Sequence, residues 1–381
     1  MKKYMYSVLL MSAMLSTACT QSVDIVVLNN SDVDRPSEMV EICACELPDM
    51  SSGDWILVDT SGQQLPFQLI NKGESNDASL IFPADVNAGT EVRYSIVKGK
   101  TETFDSKVFV RQITERKDDI TWENDKVAFR MYGPALAAEN PSNGVDVWFK
   151  RTPELIVNKW YKADLAGEAS YHEDHGEGLD CYKVGHTLGA GSIAPFIHDS
   201  LFVGGHYDRV KILENGPLRA SFVLFYDNIP FAGNTQGVSA EMKITLDAGS
   251  HLNEMQVRYT GEVSDFQLAS GIFLHDTIQN VMGLPEQGYL AYAEGMWSQT
   301  KQPQFSGRGF IGLVFPENAV EYRMIPEHVV ALTPYKMGEV YRYYFGAGWD
   351  QYLTPSDQAW VQYLSNKRDA LKHPLEVRII K

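Results

Sequence analysis

From Asp24 onward, short runs rich in Val, Ile, Leu and aromatic residues alternate with clusters of turn-forming residues. Asp24–Asn29, Val40–Cys45, Trp55–Asp59, Leu65–Ile70 and Val92–Val97 open the series, separated by clusters such as Asn29-Asn30-Ser31 and Asn87-Ala88-Gly89. Glycine and asparagine reverse the chain at little steric cost, and β-branched residues pack well on a pleated surface. The spacing therefore predicts strands joined by turns. Val108–Ile113 and Val145–Lys150 continue the pattern, and Ile120–Tyr132 reads as two strands around a Glu-Asn-Asp turn. Asn215-Gly216 between Tyr207–Leu213 and Leu218–Tyr226 signals a hairpin, as does Asp247–Ser250 between Met242–Leu246 and Glu254–Thr260. Further strands are expected at Gly271–His275, Gly288–Tyr292, Gly309–Phe315, Val329–Leu332, Val340–Phe345 and Leu375–Ile380. Pro66 places Leu65–Ile70 at a sheet edge. Helix is confined to Thr152–Trp160, with Pro153 in its first position, and Ser356–Leu371, with Pro374 just beyond. The expected fold is all-β, a large antiparallel β-sandwich with a C-terminal helix.

The N-terminus has a different character. Lys2 and Lys3 precede an apolar run from Tyr4 to Leu15, followed by Ser16-Thr17-Ala18-Cys19. This is an export signal too short to span a membrane as a mature helix. Residues 1–19 resemble a bacterial lipoprotein signal, which implies lipidation at Cys19 and a tether in the periplasm or at the outer membrane. Leu15 lies one position early for that pattern, so a plain cleaved signal is the alternative. The charged stretch Glu102–Glu115 suggests a soft boundary between an N-terminal β-sandwich portion, 20–115, and a main catalytic portion, 116–381. Cys43, Cys45 and Cys181 are expected as buried or idle thiols, because alternate residues of a strand share a face without disulfide geometry. The net charge of −16 and the absence of a basic stripe exclude nucleic-acid binding. An anionic substrate is still admissible, since a few arginines in a cleft reverse the field locally.

Chemistry-bearing residues concentrate in Tyr171–Tyr207, which holds His172, His175, His186, His198 and His206 of the nine histidines in the chain. Its first half shows neither helical nor strand periodicity and is rich in glycine, so Tyr171–Gly191 is expected to be an irregular loop forming a site. His172, His175 and Asp180 are ligand types for a divalent metal, but their spacing in a glycine-rich loop fixes no geometry, and no cofactor is expected. Glu173, Asp174, Glu177 and Asp180 offer carboxylates for glycoside hydrolysis. No GxSxG elbow and no phosphate-binding glycine loop occurs. Elimination β to a uronate carboxylate suits the mixture better. It needs a base for the C5 proton, positive charge or donors at the carboxylate, and an acid for the departing oxygen. Candidate bases are His172, His175, Tyr182 and His275. Arg130 and Arg219 are candidates for holding the carboxylate, and His206 and Tyr207 for assisting the leaving oxygen. Asp180, Trp148 and Trp297 complete the expected binding set, since sugar rings stack on aromatic faces.

Several stretches also resemble a known family: WENDKVAFRMYGPAL, YHEDHGEGLDCYKVGHTLGAGSIAP, NGPLRASFVLFY and YYFGAGWD. They are similar to secreted Bacteroidota proteins of a domain-of-unknown-function family found in pectin and ulvan degradation loci. One branch of that family resembles an ulvan oligosaccharide dehydratase. The resemblance is strongest from Thr121 to Tyr226. It implies a β-supersandwich of the galactose-mutarotase-like kind and a lyase or dehydratase acting on acidic plant or algal oligosaccharides. An exo-acting hydrolase and a glycan-binding lipoprotein without turnover are the alternatives.

Overall fold

Two large sheets pack face to face and carry most of the apolar interior. A computed structural model describes residues 22–50, 54–71, 78–139, 141–231, 234–263, 266–275, 280–283, 285–317 and 321–380. The expected export signal and Cys19 lie outside the described residues. The main path of the first sheet runs Glu321–Ile325, His328–Tyr335, Phe266–Phe273, His186–Ile197, Asn143–Lys150, Val127–Met131, Asp119–Asn124 and Val108–Ile113. Gly178–Asp180 and Ser200–Leu201 pair alongside it, making ten strands. The second sheet has eight, in the order Arg209–Asn215, Arg219–Phe231, Asn234–Asp247, Leu252–Thr260, Tyr341–Trp349, Phe305–Val314, Tyr289–Trp297 and Val281–Gly283. Alternation sends Val127, Phe129, Val147 and Phe149 inward to meet Ile244, Met255, Leu290 and Phe345 of the facing sheet. The fold is therefore the large all-β sandwich expected, with helix Asp357–Lys372 (α2 below) near the C-terminus.

A smaller sandwich lies beside it. Its five-stranded sheet comprises Glu376–Ile380, Val23–Leu28, Glu91–Lys98, Trp55–Asp59 and Gln64–Leu65, so the last strand of the chain pairs with the first. Its three-stranded sheet is Arg35–Cys43, Ser79–Val86 and Gln68–Ile70. Leu80 and Phe82 face the small core, whereas Ile70 and Ile81 join the large one.

Four expectations are corrected. Leu65–Ile70 is not one strand: Gln64–Leu65 ends the five-stranded sheet and Gln68–Ile70 ends the three-stranded one, with Pro66 at the break between them, so both pieces lie at sheet edges. Helix Val157–Leu165 (α1) starts well after Pro153, since the Glu123 carboxylate, reaching over from the sheet, accepts from Ile156 N and Val157 N at 2.9 and 2.8 Å. Cys43 and Cys45 form a disulfide, because the chain leaves its strand at Cys43 and enters a 3-10 turn that brings their Cα atoms to 5.2 Å. Cys181 is free and buried.

The fourth correction concerns the glycine-rich loop. Within Tyr171–Gly191 only residues 171–177 and 181–185 are irregular. Gly178–Asp180 adds to Asn143–Lys150, and His186 begins a long strand running parallel to Asn143–Lys150. Parallel neighbours need a crossover connection, and residues 151–185, including α1, supply it. A Cβ on Gly178, at φ +123°, would lie 1.9 Å from Phe149 O, so only glycine lets the crossover lie flat on the sheet.

Candidate active site

The crossover covers the outward face of the ten-stranded sheet, where strand alternation presents Ala128, Arg130, Asp146 and Trp148. Arg130 is buried at their centre. One of its terminal nitrogens is 2.6 Å from Asp146 Oδ2 and 2.8 Å from Asp180 Oδ2. Tyr132, Trp148 and Tyr171 surround the guanidinium, with ring centroids at 4.8, 5.3 and 5.6 Å. Trp148 is stacked on Trp160 of α1 and on Tyr171, and its Nε1–H donates to Asp146 at 3.2 Å. Burial raises both carboxyls above the ordinary carboxylate value; for Asp146 the neighbouring Asp180 adds to the effect, and Arg130 opposes it in both. Among the described residues Asp180 Oδ1 and Arg130 Nε have no hydrogen-bond partner.

At the rim of this network the segment Asp180–Lys183 carries one imidazole at each end. His172 Nδ1 lies 3.1 Å from Asp180 O, so Nδ1 carries the proton and Nε2 is left as a lone-pair acceptor. Burial, reinforced by the nearby Arg130 charge, lowers its pKa and keeps it neutral. His275 is placed oppositely. Its Nδ1 lies 2.8 Å from Glu294 Oε1, and its Nε2 contacts Lys183 O. Two acceptors on two ring nitrogens are both satisfied only by an imidazolium. Although burial opposes it, the Glu294 hydrogen bond raises the His275 pKa. Tyr292 donates to the other Glu294 oxygen at 2.9 Å. Extended backbone spans at most about 11 Å over three residues, so the two imidazole anchors share one small region.

The expected residues thus divide. His172, Asp180, Tyr182 and His275 come together, but Tyr182 is buried and its hydroxyl is committed to Phe273 O at 2.9 Å. His275 is held as a cation, which does not suit the expected role of base. Arg130 is adjacent, yet both its carboxylate partners are internal, so it cannot hold a substrate carboxylate as expected. Arg219 lies elsewhere, bound to Asp247 at 2.6 Å and Glu41 at 2.7 Å where the two sandwiches meet. His206 and Tyr207 lie near the Asn143 end of strand Asn143–Lys150; Tyr207 donates to Asp118 O, and among the described residues His206 Nε2 has no hydrogen-bond partner. At 3.3 Å per residue that end is roughly 23 Å from Lys150. Trp148 is fully buried and offers no face to a sugar, whereas Trp297 is 53% exposed and edge-on to the exposed Phe305 at 5.3 Å. His175 is turned towards Ser170 O, and no three His, Cys, Asp or Glu side chains converge as a metal set among the described residues. The four loop carboxylates also disperse: Asp174 pairs with Arg151 and Glu177 with Lys159, while Glu173 is exposed.

Sequence reading missed Glu294 and Lys183. Glu294 lies far along the chain in an apolar strand, where only its pairing with His275 reveals it. Lys183 is exposed beside His275, with no carboxylate in ion-pair range among the described residues. Arg151 lies 5.0 Å from the centroid of the Trp349 ring.

Comparison with solved structures gives a TM-score of 0.51, at 8% identity, to a protein in the Glycosyl Hydrolase Family 38 from Enterococcus faecalis; the match covers 94% of this chain and 47% of that one. An alpha-mannosidase from Enterococcus faecalis matches with a TM-score of 0.46 at 7% identity, over 94% and 46%. The chain thus spans about half the length of either structure, and the first likeness concerns the fold alone. Uncharacterized protein P7 of Formosa agariphila is 30% identical over 378 residues, 93% of each chain. With a family model matching residues 27–377, the chain belongs to the family described as Domain of unknown function (DUF4861).

Proposed function

We propose that the protein is a carbohydrate-active enzyme that removes a group β to the carboxylate of a uronic acid in acidic oligosaccharides. The observation that carries this reading is the contrasting hydrogen-bond geometry of the two imidazoles at the ends of Asp180–Lys183, one His172 nitrogen on Asp180 O and both His275 nitrogens on acceptors. His172 Nε2 takes the C5 proton, and the electron pair left at C5 becomes the C4=C5 double bond as the C4–O bond breaks. Lys183 and the His275 imidazolium supply the positive charge that stabilises the electron-rich carboxylate in the transition state. The His275 Nε2 proton, exchanged from Lys183 O, goes to the departing oxygen. Water leaves from a free C4 hydroxyl, as in a dehydratase, and a sugar alcohol leaves from a glycosidic bond, as in a lyase. Proton transfer of this kind needs no cofactor.

Hydrolysis by the Asp146–Asp180 pair is less favoured, because both carboxyls are buried against Arg130. A lipid on Cys19 would keep the enzyme in the periplasm or at the outer membrane, close to oligosaccharides entering the cell. The test is incubation with several uronic-acid oligosaccharides, watching for the ultraviolet absorbance of a conjugated enol-uronate. His172→Ala should lower kcat by about 100-fold or more. Release of free monosaccharide without the chromophore would sink the reading.

A further inference from the structure

The elimination chemistry leaves Trp297 unused, and its surroundings are built in a way that cohesion of the fold does not explain. Trp297 is 53% exposed and Phe305 is 61% exposed, and among the described residues no other Trp or Phe is exposed. The two rings meet at 5.3 Å and 65°, which leaves an open corner between them.

The backbone spends a bulge to make this corner. Strands Tyr289–Trp297 and Phe305–Val314 pair Gly295 with Arg308, and the next rung pairs Trp297 with Phe305. Met296 alone separates the rungs on one strand, whereas Ser306 and Gly307 separate them on the other. Without that extra residue, alternation would send Phe305 to the opposite face from Trp297. The bulge, with Gly307 at φ +86°, turns it back, and bulges beside functional sites commonly re-aim a side chain in this manner. Gly295 leaves the corner open, because a Cβ there would lie 3.2 Å from Phe305 Cε2 and 3.6 Å from Trp297 Nε1. Just beyond the rung the hairpin is pinned by Ser298, whose N–H donates to Gln304 O and whose hydroxyl accepts from Gln304 N, both at 2.9 Å. The rings are therefore held in place before any ligand arrives.

The size and polarity of the corner select its occupant. Exposed to this extent, the two residues offer roughly 250–300 Å², well short of the about 800 Å² per partner that a stable protein interface needs. From Gly295 to Gly307 the single charged residue is Lys301, and the rest of the turn consists largely of glutamine, serine and threonine. Arg308, opposite Gly295, is already neutralised by Asp357 at 2.6 Å. A small apolar face rimmed by amides and hydroxyls matches a pyranose ring, which carries C–H bonds on its faces and hydroxyls at its edge.

We infer that the Trp297–Phe305 corner is a stacking subsite for one pyranose ring of an oligosaccharide, which it holds by the C–H face and not by charge. Met296 points into the core and Gly295 and Trp297 lie on the outward face, as Ala291 and Ala293 do under α2. Glu294, which holds His275, is three residues from Trp297, a span of at most about 11 Å. A ring on the corner is thus a different ring from the one undergoing elimination, and a longer oligosaccharide is what the two places together favour. The choice of acidic sugars as probes rests on the proposed function, whereas the preference for a sugar face rests on the corner itself.

The experiment uses the full chain carrying His172→Ala, so that the probes are not consumed. Its readout is the indole N–H resonance of Trp297, identified by its loss in Trp297→Phe. Titration at physiological salt with a uronic-acid tetrasaccharide, and separately with its carboxyl-reduced counterpart, should move this resonance with similar dissociation constants, because stacking reads no charge. Phe305→Ala and Phe305→Leu should each weaken the binding so measured by about fivefold or more, and Phe305→Tyr should keep most of it. All three should melt at the temperature of the parent, since the ring is exposed. A resonance that stays still with both probes, that moves with the acidic probe alone, or that responds equally in Phe305→Leu overturns the subsite. So does a shift that grows with protein concentration in the absence of sugar, which would place a second copy of the chain on the corner. Absence of turnover by the unmodified protein overturns the elimination reading alone, because stacking at Trp297 requires no chemistry.

Discussion

Each large sheet has a helix laid on its outward face, and the two faces are built on different principles. Under α2 the contacts are apolar: Leu252, Ala291, Ala293 and Phe310 meet Trp360 and Leu364. Under α1 the apolar residues Ile113, Trp148, Ile156 and Tyr161 enclose Arg130, Asp146 and Asp180. Apolar burial is non-directional and contributes stability in proportion to area. Buried ions lose hydration, and a well-packed hydrophobic substitute is often as stable or more so. Cohesion explains the first face and does not require the second, particularly as Asp180 Oδ1 and Arg130 Nε find no hydrogen-bond partner among the described residues. Strongly perturbed carboxyls next to half-exposed histidines are the usual signature of a working site.

The largest expected effect that would test this contrast is Arg130→Met, which leaves two buried carboxyls facing each other. It should cost about 3–5 kcal/mol in chemical denaturation, and adding Asp146→Asn and Asp180→Asn should recover much of that. Trp360→Ala on the other face should cost a similar amount, about 3–5 kcal/mol, with no charge-removing rescue. An Arg130→Met variant as stable as the parent would erase the distinction.

The opposite dependence on pH comes next. His251, packed beside Tyr363 of α2, is lowered to about 4 by burial, with its Nδ1 at 3.0 Å from Ala347 O. A depressed histidine contributes stability above its unfolded value near 6.5, and that stability is lost as pH falls towards 4. The loss is about 3 kcal/mol and should vanish in His251→Asn once the constant cost of substitution is subtracted. Asp146, raised to about 7 by burial and by Asp180, acts in the other direction. A raised carboxyl contributes stability below its unfolded value near 3.8, lost as pH climbs towards 7. Asp146→Asn should therefore flatten stability on the rising side of that window and His251→Asn on the falling side. Parallel changes in the two variants would show that the faces do not titrate independently.

Helix capping gives the smallest contrasts. α1 is capped across the fold by Glu123, which also holds the buried Lys150 at 2.8 Å. Glu123→Ala orphans an ammonium and two amides, and should cost about 3 kcal/mol or more. α2 is capped locally by Ser356, whose hydroxyl accepts from Ala359 N at 3.2 Å, so Ser356→Ala should cost about 1 kcal/mol. Equal losses in equilibrium unfolding would mean that α1 is not anchored through Glu123.

The capping difference also marks the limit of what could be read from sequence. The start of α2 was legible because Ser356 and Asp357 adjoin the helix they begin. The start of α1 was not, because its cap lies 33 residues earlier in a strand. The same holds at the site. The glycine-rich imidazole segment was visible as such, and His172 with Asp180 sits within it. Glu294, which holds His275, has no local signal in Tyr289–Trp297, and the neutralisation of Arg130 and Arg219 depends on carboxylates from other strands.

Sequence alone determined the β architecture, most strand positions, the C-terminal helix and the stretch where the candidate chemistry concentrates. Periodicity, turn residues and capping are local properties, written within a few residues of where they act. Tertiary structure decided that Tyr171–Asp180 lies in a crossover between parallel strands, which histidine is cationic, and which arginines are already paired. Those outcomes depend on burial and on charges contributed by residues distant in sequence, and only the folded chain brings them within a few ångströms of one another.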